Sequence, residues 1–217
     1  MATFNKGILG GFSGKVGTIV GSNWRGLDVI RSLPKKTSRL ATEKQLIVQA
    51  KFSLIAHFLA PLKPLLRTYF GQPSGEKSRF NMAFSYHNRE AIIGTYPDFE
   101  LDYQKVIICK GDLLQVEQPA VSALAGAELK YTWQDNSGEG EAKATDMILV
   151  VVYNPARDLF SYKELAAQRD AGVFGLALPN TWVGETVHTW LSIVNAAETK
   201  WASSVYLGDG GDLEVSE

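Results

Sequence analysis

The chain has 217 residues, of which 45% are hydrophobic and 21% charged, a composition that excludes a disordered chain and a collagen-like fibre. The single cysteine, Cys109, excludes an internal disulfide and a cysteine-based zinc site. The sequence contains no run of about 18 apolar residues, so we expect no membrane-spanning helix. Its opening residues lack the apolar core of a secretion signal, which predicts a cytoplasmic protein as synthesised.

Charge is distributed unevenly along the chain, although the net charge is only −1. Residues 1–94 contain 14 Lys and Arg against four Asp and Glu, which gives +10. Residues 95–217 contain 8 basic and 19 acidic residues, which gives −11. Such asymmetry predicts different partners for the two halves. Two interpretations stay open: a basic surface for nucleic acid, or contact between copies with the positive half of one against the negative half of another.

The first segment, residues 1–34, contains seven of the 20 glycines. Within it, Lys15–Val20 and Leu27–Arg31 are predicted to be short strands, and Ser22–Gly26 supplies turn residues between them. The segment is therefore predicted to form a glycine-rich β-hairpin. Because a two-stranded ribbon is only marginally stable alone, we expect it to pack on the rest of the chain or on another copy.

The second segment is predicted to be helical. Thr42 and Gln45 fit a capping box, and apolar residues recur at helical spacing after them. Pro61 and Pro64 are expected to end or kink this helix, and a further helix is expected over residues 77–93. The basic side chains of these helices are Lys44, Lys51, Lys63, Arg67, Lys77, Arg79 and Arg89.

Beyond Tyr96–Asp98 the hydrophobic period changes from that of a helix to that of a strand. The run Met147–Tyr153 has no polar alternation, which predicts a central strand covered on both faces. Glu128–Trp133 alternates, with its apolar residues on one face. Candidate strands lie at 104–110, 120–125, 128–134, 147–154, 159–163, 173–178, 187–194 and 203–208.

The stretches 128–133, 187–194 and 203–207 resemble the B, F and G strands of a fibronectin type III or immunoglobulin-like module. This resemblance covers about half of the chain and implies a β-sandwich. The predicted fold class is therefore α+β. We expect a glycine-rich ribbon at 1–34, a basic helical segment at 35–94 and an acidic immunoglobulin-like sandwich at 95–217.

No catalytic or cofactor signature is present. Gly14 and Lys15 invite comparison with a phosphate-binding loop, but Leu9 occupies the position of its first glycine. Val16 replaces the hydroxyl residue that would bind magnesium, so we expect no nucleotide site there. No cofactor is predicted from any other part of the sequence.

The residue types that bind metals or activate nucleophiles are scattered. The three histidines, His57, His87 and His188, are far apart in sequence, which favours packed or surface roles. Acidic pairs occur at Gly138–Glu141 and Asp209–Asp212, and solvated loop charges are favoured there over a calcium site. The sequence therefore predicts a protein without catalytic or metal-binding residues, and not an enzyme.

A longer pattern spans the whole chain. Residues 7–21, GILGGFSGKVGTIVG, followed by Trp24–Gly26 and Ile30–Ser32, resemble an uncharacterised family of proteins of similar length common in Bacteroidota. The resemblance continues at Ala50–Phe52, Gly94–Phe99, Thr132–Asn136, Val151–Pro155 and Ser204–Gly208. The family has no assigned activity and implies no catalytic residues. The ribbon followed by a helix is also similar to the opening of some phage-type structural proteins, which implies a role in a particle.

These features favour a non-enzymatic structural protein that assembles with itself into a homo-oligomer, a filament or a phage-like particle through its ribbon. The alternative is an adaptor whose basic N-terminal half binds nucleic acid or another anionic polymer. The predicted interface residues are Ile8, Leu9, Phe12, Val16, Ile19 and Trp24 for apolar contact, with Arg25 and Arg31 for polar pairing.

Overall fold

Short turns between consecutive strands build the N-terminal sheet. The computed structural model describes residues 3–4, 11–24, 26–35, 40–73, 77–208 and 213–214, and divides the chain into two units, Met1–Thr42 and Glu43–Glu217. The described part of the first unit is an antiparallel sheet of β1 (Thr3–Phe4), β2 (Phe12–Val16), β3 (Ile19–Trp24) and β4 (Leu27–Ser32), in that order. We call β2, β3 and β4 the ribbon sheet.

The ribbon sheet corrects the hairpin predicted from the sequence. The segment Lys15–Val20 is not one strand, because Gly17 takes a φ of +56° and turns the chain within it. The next strand then continues to Trp24, and the second turn contains Gly26 at a φ of +87°. Glycine at positive φ suits two-residue hairpin turns, so the glycines produce two turns where we predicted one.

The second unit begins with the three helices α1 (Glu43–Leu59), α2 (Lys63–Tyr69) and α3 (Arg79–Glu90). The helix α1 ends before Pro61, and Pro64 lies in the first turn of α2, where a missing N–H does not break a helical hydrogen bond. The Ser78 hydroxyl caps α3 by accepting a hydrogen bond of 3.2 Å from the Asn81 N–H. The predicted helices are confirmed, but the last of them ends at Glu90, and residues 92 and 93 of its predicted range belong to the following strand.

These helices do not individually resemble membrane spans. Among the described residues, no single helix combines the length and the apolar composition that a span requires. Helices α1 and α2 reach the required length and apolar composition only as a pair, and the chain bends by 86° between them.

Two antiparallel sheets follow a short hairpin. The strands are β5 (Ile92–Thr95), β6 (Asp98–Leu101), β7 (Glu117–Leu124), β8 (Glu128–Gln134), β9 (Met147–Asn154), β10 (Leu159–Lys163), β11 (Val173–Ala177), β12 (Thr186–Val194), β13 (Val205–Tyr206) and β14 (Leu213–Glu214). One sheet has the order β11–β8–β7; the other has the order β10–β9–β12–β13, and β14 pairs with β12. Counted from β7, the first, second and fifth strands share one sheet. This division between the sheets is that of an immunoglobulin-like module, and it confirms the predicted α+β fold.

Two predicted strands differ from the structure. The segment 104–110 is a short 3₁₀ turn, Tyr103–Lys105, followed by extended chain, and the segment 203–208 contains only the two-residue strand β13. The reason is side-chain hydrogen bonding: the Ser204 hydroxyl accepts the N–H groups of Ile108 at 2.9 Å and Cys109 at 3.4 Å. The Ser204 hydroxyl therefore takes the place of some of the backbone hydrogen bonds that two paired strands would form at residues 104–110 and 203–208.

The central strand β9 lies between two cores. Its odd-numbered residues from 149 to 153 share a core with the helices, and its even-numbered residues from 148 to 152 share another with the opposite sheet. All of these side chains are nearly or fully buried, which confirms the strand predicted to be covered on both faces. The boundaries predicted after residues 34 and 94 mark changes of sequence pattern, and the division of the chain into segments at those positions stays a prediction.

Candidate interaction surface

The ribbon sheet carries apolar side chains on both of its faces. Cross-strand pairing and the alternation of side chains assign each residue to a face. One face carries Phe12, Val16, Ile19 and Ile30, and the other carries Val20, Trp24, Leu27 and Val29. The exposed fraction is 54% for Trp24, 61% for Leu27 and 63% for Ile30. An antiparallel sheet commonly has one solvated, polar face, so exposed apolar side chains on both faces are unusual for a surface in water.

Two glycines allow the strands of this sheet to approach closely. A Cβ on Gly21 would lie 2.2 Å from the carbonyl oxygen of Phe12 and 2.6 Å from its ring. A Cβ on Gly11 would lie 2.0 Å from the carboxyl carbon of Asp28. The half-buried Phe12 ring therefore takes the space above Gly21, and a larger residue at either glycine position would displace a neighbour.

A small polar network orders the turn beside Trp24. The Asn23 Oδ1 accepts a hydrogen bond of 2.9 Å from the Gly26 N–H, and the Asn23 Nδ2 donates one of 2.9 Å to Asp28. These contacts lie within one turn and its flanking strands. They help to fix the end of the hairpin that holds the exposed Trp24 ring.

The outer edge of β4 carries backbone groups that face away from the sheet. The Leu33 N–H donates to the Thr18 carbonyl at 2.7 Å, and hydrogen-bonded pairs alternate from there along the β3–β4 ladder. The N–H and C=O groups of Asp28, Ile30 and Ser32 therefore face outward. All six residues of β4 are exposed, and none of the residues that the structure describes pairs with this edge.

The predicted interface residues fall into three groups. Ile8, Leu9 and Arg25 lie outside the described residues. Val16, Ile19, Trp24 and Arg31 are exposed on the ribbon sheet, and Phe12 is half-buried above a glycine. Their participation in an interface stays a prediction.

Sequence reasoning assigned Leu27, Val29 and Ile30 to a strand but not to the candidate surface. All three are exposed on β4. A usable signal was present, because β4 contains neither proline nor lysine, the residues that commonly protect a strand edge. What the sequence did not show is that this strand would be the last of its sheet.

Part of the basic charge on the helices is engaged within the second unit. The ammonium groups of Lys51 and Lys63 lie 4.9 Å and 5.8 Å from the ring centroids of Phe99 and Phe80. The Arg79 guanidinium donates to a backbone carbonyl at 3.0 Å and lies over an indole ring at 5.0 Å. Cation–π contacts of this kind stabilise the fold and leave fewer basic groups pointing freely into solvent.

The three histidines occupy separate environments. The His57 Nε2 lies 2.5 Å from the Asp158 carboxylate at the surface, and the His188 Nδ1 lies 2.7 Å from the Tyr206 hydroxyl. His87 is fully buried, and this burial lowers its pKa from 6.5 to about 4. The separation agrees with the packed and surface roles predicted from the sequence.

The single cysteine and the acidic side chains do not form a metal site in the described part of the chain. Cys109 is buried, and burial raises the pKa of its thiol to about 12, which makes it a poor nucleophile. Among the described residues, no group of three or more His, Cys, Asp and Glu side chains is placed to hold a metal ion. The acidic loop predicted at Asp209–Asp212 lies outside these residues.

Comparison with known protein families identifies the family of this chain. The model of the Family of unknown function (DUF6266) matches residues 11–208. The chain belongs to this family. The match to DUF6266 includes the ribbon sheet as well as the helices and the sandwich. This confirms the resemblance to an uncharacterised family, while the bacterial group named from the sequence stays a prediction.

The other comparisons are less informative for this DUF6266 chain. No curated protein matches it. Among solved structures it is similar to the fn3 domain of human collagen alpha-1(XX) chain, with 14% identity and a TM-score of 0.32, over 48% of this chain and 85% of that one. The assignment of an immunoglobulin-like module rests on the strand order of the two sheets.

Proposed function

We propose that this chain is a non-enzymatic structural protein whose copies assemble with one another through the ribbon sheet. The observation that carries the proposal is the exposure of apolar side chains on both faces of that sheet. Trp24, Leu27 and Ile30 are each more than half exposed, at 54%, 61% and 63%. Large exposed apolar patches on soluble proteins commonly mark interaction surfaces.

Burial of this surface supplies the driving force for assembly. Each Å² of apolar surface that leaves water contributes about 25 cal/mol, so covering several large exposed side chains favours association. A ribbon of a few strands lacks a second layer of its own and is stabilised by packing against one. Another copy provides such a layer without any cofactor or ligand.

The distribution of charge favours another copy as the partner. The first 94 residues sum to +10 and the remainder to −11, so opposite charges of similar size are available on every molecule. Each exposed ion pair contributes only about 0–1 kcal/mol and is screened by salt. Charge therefore sets the orientation and the rate of association, whereas the apolar ribbon contributes the larger part of the affinity.

Sedimentation velocity of the full chain over about 1–50 µM tests the proposal, since half-saturation in that range corresponds to about 6–8 kcal/mol. We expect species heavier than the 23.8 kDa monomer. The double variant Ile19→Asp/Trp24→Ala should sediment as a monomer while its second unit stays folded, because both positions are exposed on the ribbon.

A matched control alters exposed apolar residues outside the ribbon. Leu159→Asp/Tyr162→Ala makes the same chemical changes on β10, where the two side chains are 52% and 39% exposed. This variant should assemble like the wild type. A wild-type chain that stays monomeric at tens of micromolar, or a ribbon variant that assembles normally, would contradict the proposal.

The alternative function is binding of nucleic acid by the basic half, which is supported by its charge of +10. Such binding would weaken steeply with salt, with a log–log slope of about −0.9 for each phosphate contacted on duplex DNA. Fluorescence anisotropy with a labelled duplex at about 50 mM salt separates the two functions, because counterion release makes binding strongest at low salt. A chain that assembles and shows no binding there leaves self-assembly as the function.

A further inference from the structure

We propose that the Arg31 side chain on the ribbon sheet of one copy enters a cavity on the second unit of another copy, where aromatic rings and two carboxylates surround it. This inference rests on the proposed self-assembly and names the surface that receives the ribbon sheet. The contact joins two different surfaces, and every molecule supplies one of each.

The two units of the chain carry opposite charges. Residues 1–42 contain seven Lys and Arg and a single acidic residue, Asp28, which gives +6. Residues 43–217 contain the other 15 basic and 22 acidic residues, which gives −7. Contact between two ribbon sheets sets like charges together, whereas contact between a ribbon sheet and a second unit joins opposite charges. Charge therefore favours the second unit of another copy as the partner of the ribbon sheet.

Charge also distinguishes the two faces of the ribbon sheet. Val20 pairs with Arg31 on one side and with Lys15 on the other, and both basic side chains are exposed. Since directly paired residues share a face, Lys15 and Arg31 lie on the face that carries Trp24. We call it the basic face. Asp28 lies on the opposite face. The basic face therefore suits a partner surface that is both apolar and acidic.

The opposite face is better suited to water. It carries exposed apolar side chains too, but it also carries Asn23, Asp28 and Ser32. Its Phe12 ring is half-buried above Gly21. An antiparallel sheet commonly packs one face and leaves the other solvated. Docking through the basic face therefore gives the ribbon sheet the second layer that it lacks.

A cavity in the second unit combines the properties that the basic face requires. It has a volume of about 270 Å³ and is lined by residues of α1, β6 and β9, of the 3₁₀ turn after β6 and of the turn before β10. Phe58, Phe99, Tyr103 and Tyr153 supply aromatic rings. The Phe58 ring centroid lies 6.3 Å from that of Tyr103 and 5.2 Å from that of Tyr153. The cavity therefore has closely packed aromatic walls.

The charged groups of this cavity are acidic. Glu100 and Asp158 line it, and none of the described residues that line it is a lysine or an arginine. Asp158 accepts a hydrogen bond of 2.9 Å from the Tyr153 hydroxyl and lies against His57. Burial raises the pKa of the Tyr103 hydroxyl, and the charges of Glu100 and Asp158 raise it further. The cavity therefore has a negative potential that favours a cation.

Two other cavities of the second unit lack this chemistry. Their volumes are about 390 Å³ and 490 Å³, and each is lined by two lysines and two acidic residues. Lys200 lines both cavities and pairs with Glu141. Because their charges balance, neither cavity favours a basic side chain as the aromatic cavity does.

A guanidinium group matches the aromatic cavity. It is planar, stacks on aromatic rings and pairs with carboxylates, and the cavity offers both kinds of partner. The Lys51 ammonium lies 4.9 Å from the Phe99 ring centroid, so one cation of the chain already makes this kind of contact there. The carboxylates of Glu100 and Asp158 outnumber this ammonium. A second cation, from the ribbon sheet of another copy, is therefore favoured.

Charge reversal on either surface tests the contact. In the assembled protein, Arg31→Glu brings a third carboxylate to the cavity, and Glu100→Arg brings a guanidinium against Arg31. We expect the dissociation constant of the assembly to rise about tenfold or more in each variant, because like charges then meet. Both positions are exposed, so each variant should keep its fold, which circular dichroism checks.

A mixture of the two variants tests whether the two surfaces meet between copies. In the mixture, the reversed ribbon of one variant meets the reversed cavity of the other, and the two unaltered surfaces meet as well. Opposite charges then face each other in every contact. We expect the mixture to assemble at a concentration where each variant alone sediments as a monomer.

Two controls make similar charge changes elsewhere. Ser32→Glu adds an acidic group next to Arg31 in sequence, but on the opposite face of the ribbon sheet. Glu139→Arg makes the same change as Glu100→Arg at an exposed loop position that does not line the cavity. Both controls should assemble like the wild type.

Sedimentation velocity over about 1–50 µM measures every sample, since contacts of moderate affinity are half-saturated in that range. Loss of assembly in both charge-reversal variants, with recovery in their mixture, supports the cavity as the receiving surface. Normal assembly of Glu100→Arg, an equal loss in either control or no recovery in the mixture overturns this contact and leaves self-assembly standing. A wild-type chain that is monomeric overturns the proposed function itself.

Discussion

Strands β9 and β4 are both rich in branched apolar side chains, but their surroundings are opposite. In β9 nearly every side chain is buried, since helices cover one face and a second sheet covers the other. In β4 every residue is exposed. The same strand-forming residues are buried in a core where other elements of the chain cover both faces of the strand. On the ribbon sheet they stay exposed.

The largest expected effect concerns the second unit. The Arg169 guanidinium is fully buried; it donates to Asp146 at 3.1 Å and to Asn136 at 2.5 Å. Arg169→Ala leaves the buried Asp146 carboxylate without its partner, so we expect the free energy of unfolding to fall by about 3–5 kcal/mol. Urea denaturation followed by circular dichroism measures this change.

An exposed ion pair supplies the control for that variant. Lys200→Ala breaks the pair with Glu141, in which both side chains are more than half exposed. We expect a loss of only about 0–1 kcal/mol. Equal losses in the two variants would contradict the assignment of Arg169 as a buried structural charge.

Acid should destabilise the second unit through His87. The His87 Nδ1–H donates to the Ala83 carbonyl at 2.7 Å, and its Nε2 accepts from the Ile107 N–H, so the buried ring is neutral. Because folding lowers the pKa of His87 from 6.5 to about 4, its contribution to stability is complete above pH 6.5 and declines as the pH falls toward 4. We expect a loss of up to about 3 kcal/mol across that window.

Urea denaturation at a series of pH values between 7 and 4 measures the effect of His87. His87→Gln retains a donor and an acceptor but does not titrate, so its stability should fall less steeply with acid than that of the wild type. Parallel pH profiles for the wild type and His87→Gln would contradict this role.

A methyl group added at Gly21 tests the close packing within the ribbon sheet. Gly21→Ala places a Cβ against the backbone and ring of Phe12, at distances of 2.2 Å and 2.6 Å before relaxation. Overpacking of this kind costs about 1–3 kcal/mol, so we expect the ribbon sheet to distort and self-assembly to weaken. The unfolding midpoint of the second unit should not change.

Ser22→Ala is the neighbouring control for the glycine variant, because it alters β3 without adding volume. Sedimentation velocity measures self-assembly through the ribbon sheet, and urea denaturation measures the stability of the second unit. Normal assembly of Gly21→Ala would show that the close approach of Phe12 is not needed for the ribbon contact.

Salt should have the smallest effect on the assembly equilibrium. Raising salt to about 0.5 M shortens the screening length to a few Å, which slows association of the +10 and −11 halves. The apolar contact is not weakened, so the assembled state should persist. Stopped-flow light scattering measures the rate, and sedimentation velocity measures the final species. Dissolution of the assembly by salt alone would show that charge holds the copies together.

The sequence predicted the second unit better than the ribbon. Met147–Tyr153 has no polar alternation, and only a strand covered on both faces suits such a pattern, so its place was predictable. The segment 104–110 was predicted as a strand from its apolar residues and from its place after the change of hydrophobic period. Its backbone bonds to the Ser204 hydroxyl, about a hundred residues later in the chain, and local alternation does not reveal such a partner.

The strands of the ribbon sheet were harder to predict, because the positions of their turns depend on backbone angles. Gly14, Gly17, Gly21 and Gly26 could all have formed the turn, and only Gly17 and Gly26 do. Gly21 is instead required by the nearby Phe12 ring, a contact between strands that the sequence does not show. Five of the eight predicted interface residues therefore lie on the ribbon sheet, and the exposed Ile30 of its outer strand was not among them. The part that these residues play in an interface stays a prediction.

The sheet that separates the two cores has a consequence for cooperativity. Strands β9 and β12 are walls of both cores, so the helices cannot leave one side without uncovering Leu149, Val151 and Trp190. Loss of the opposite sheet would likewise expose the other faces of the same strands. Partial unfolding therefore exposes a large apolar surface, and the helices and the sandwich should melt in a single transition although their sequence patterns differ.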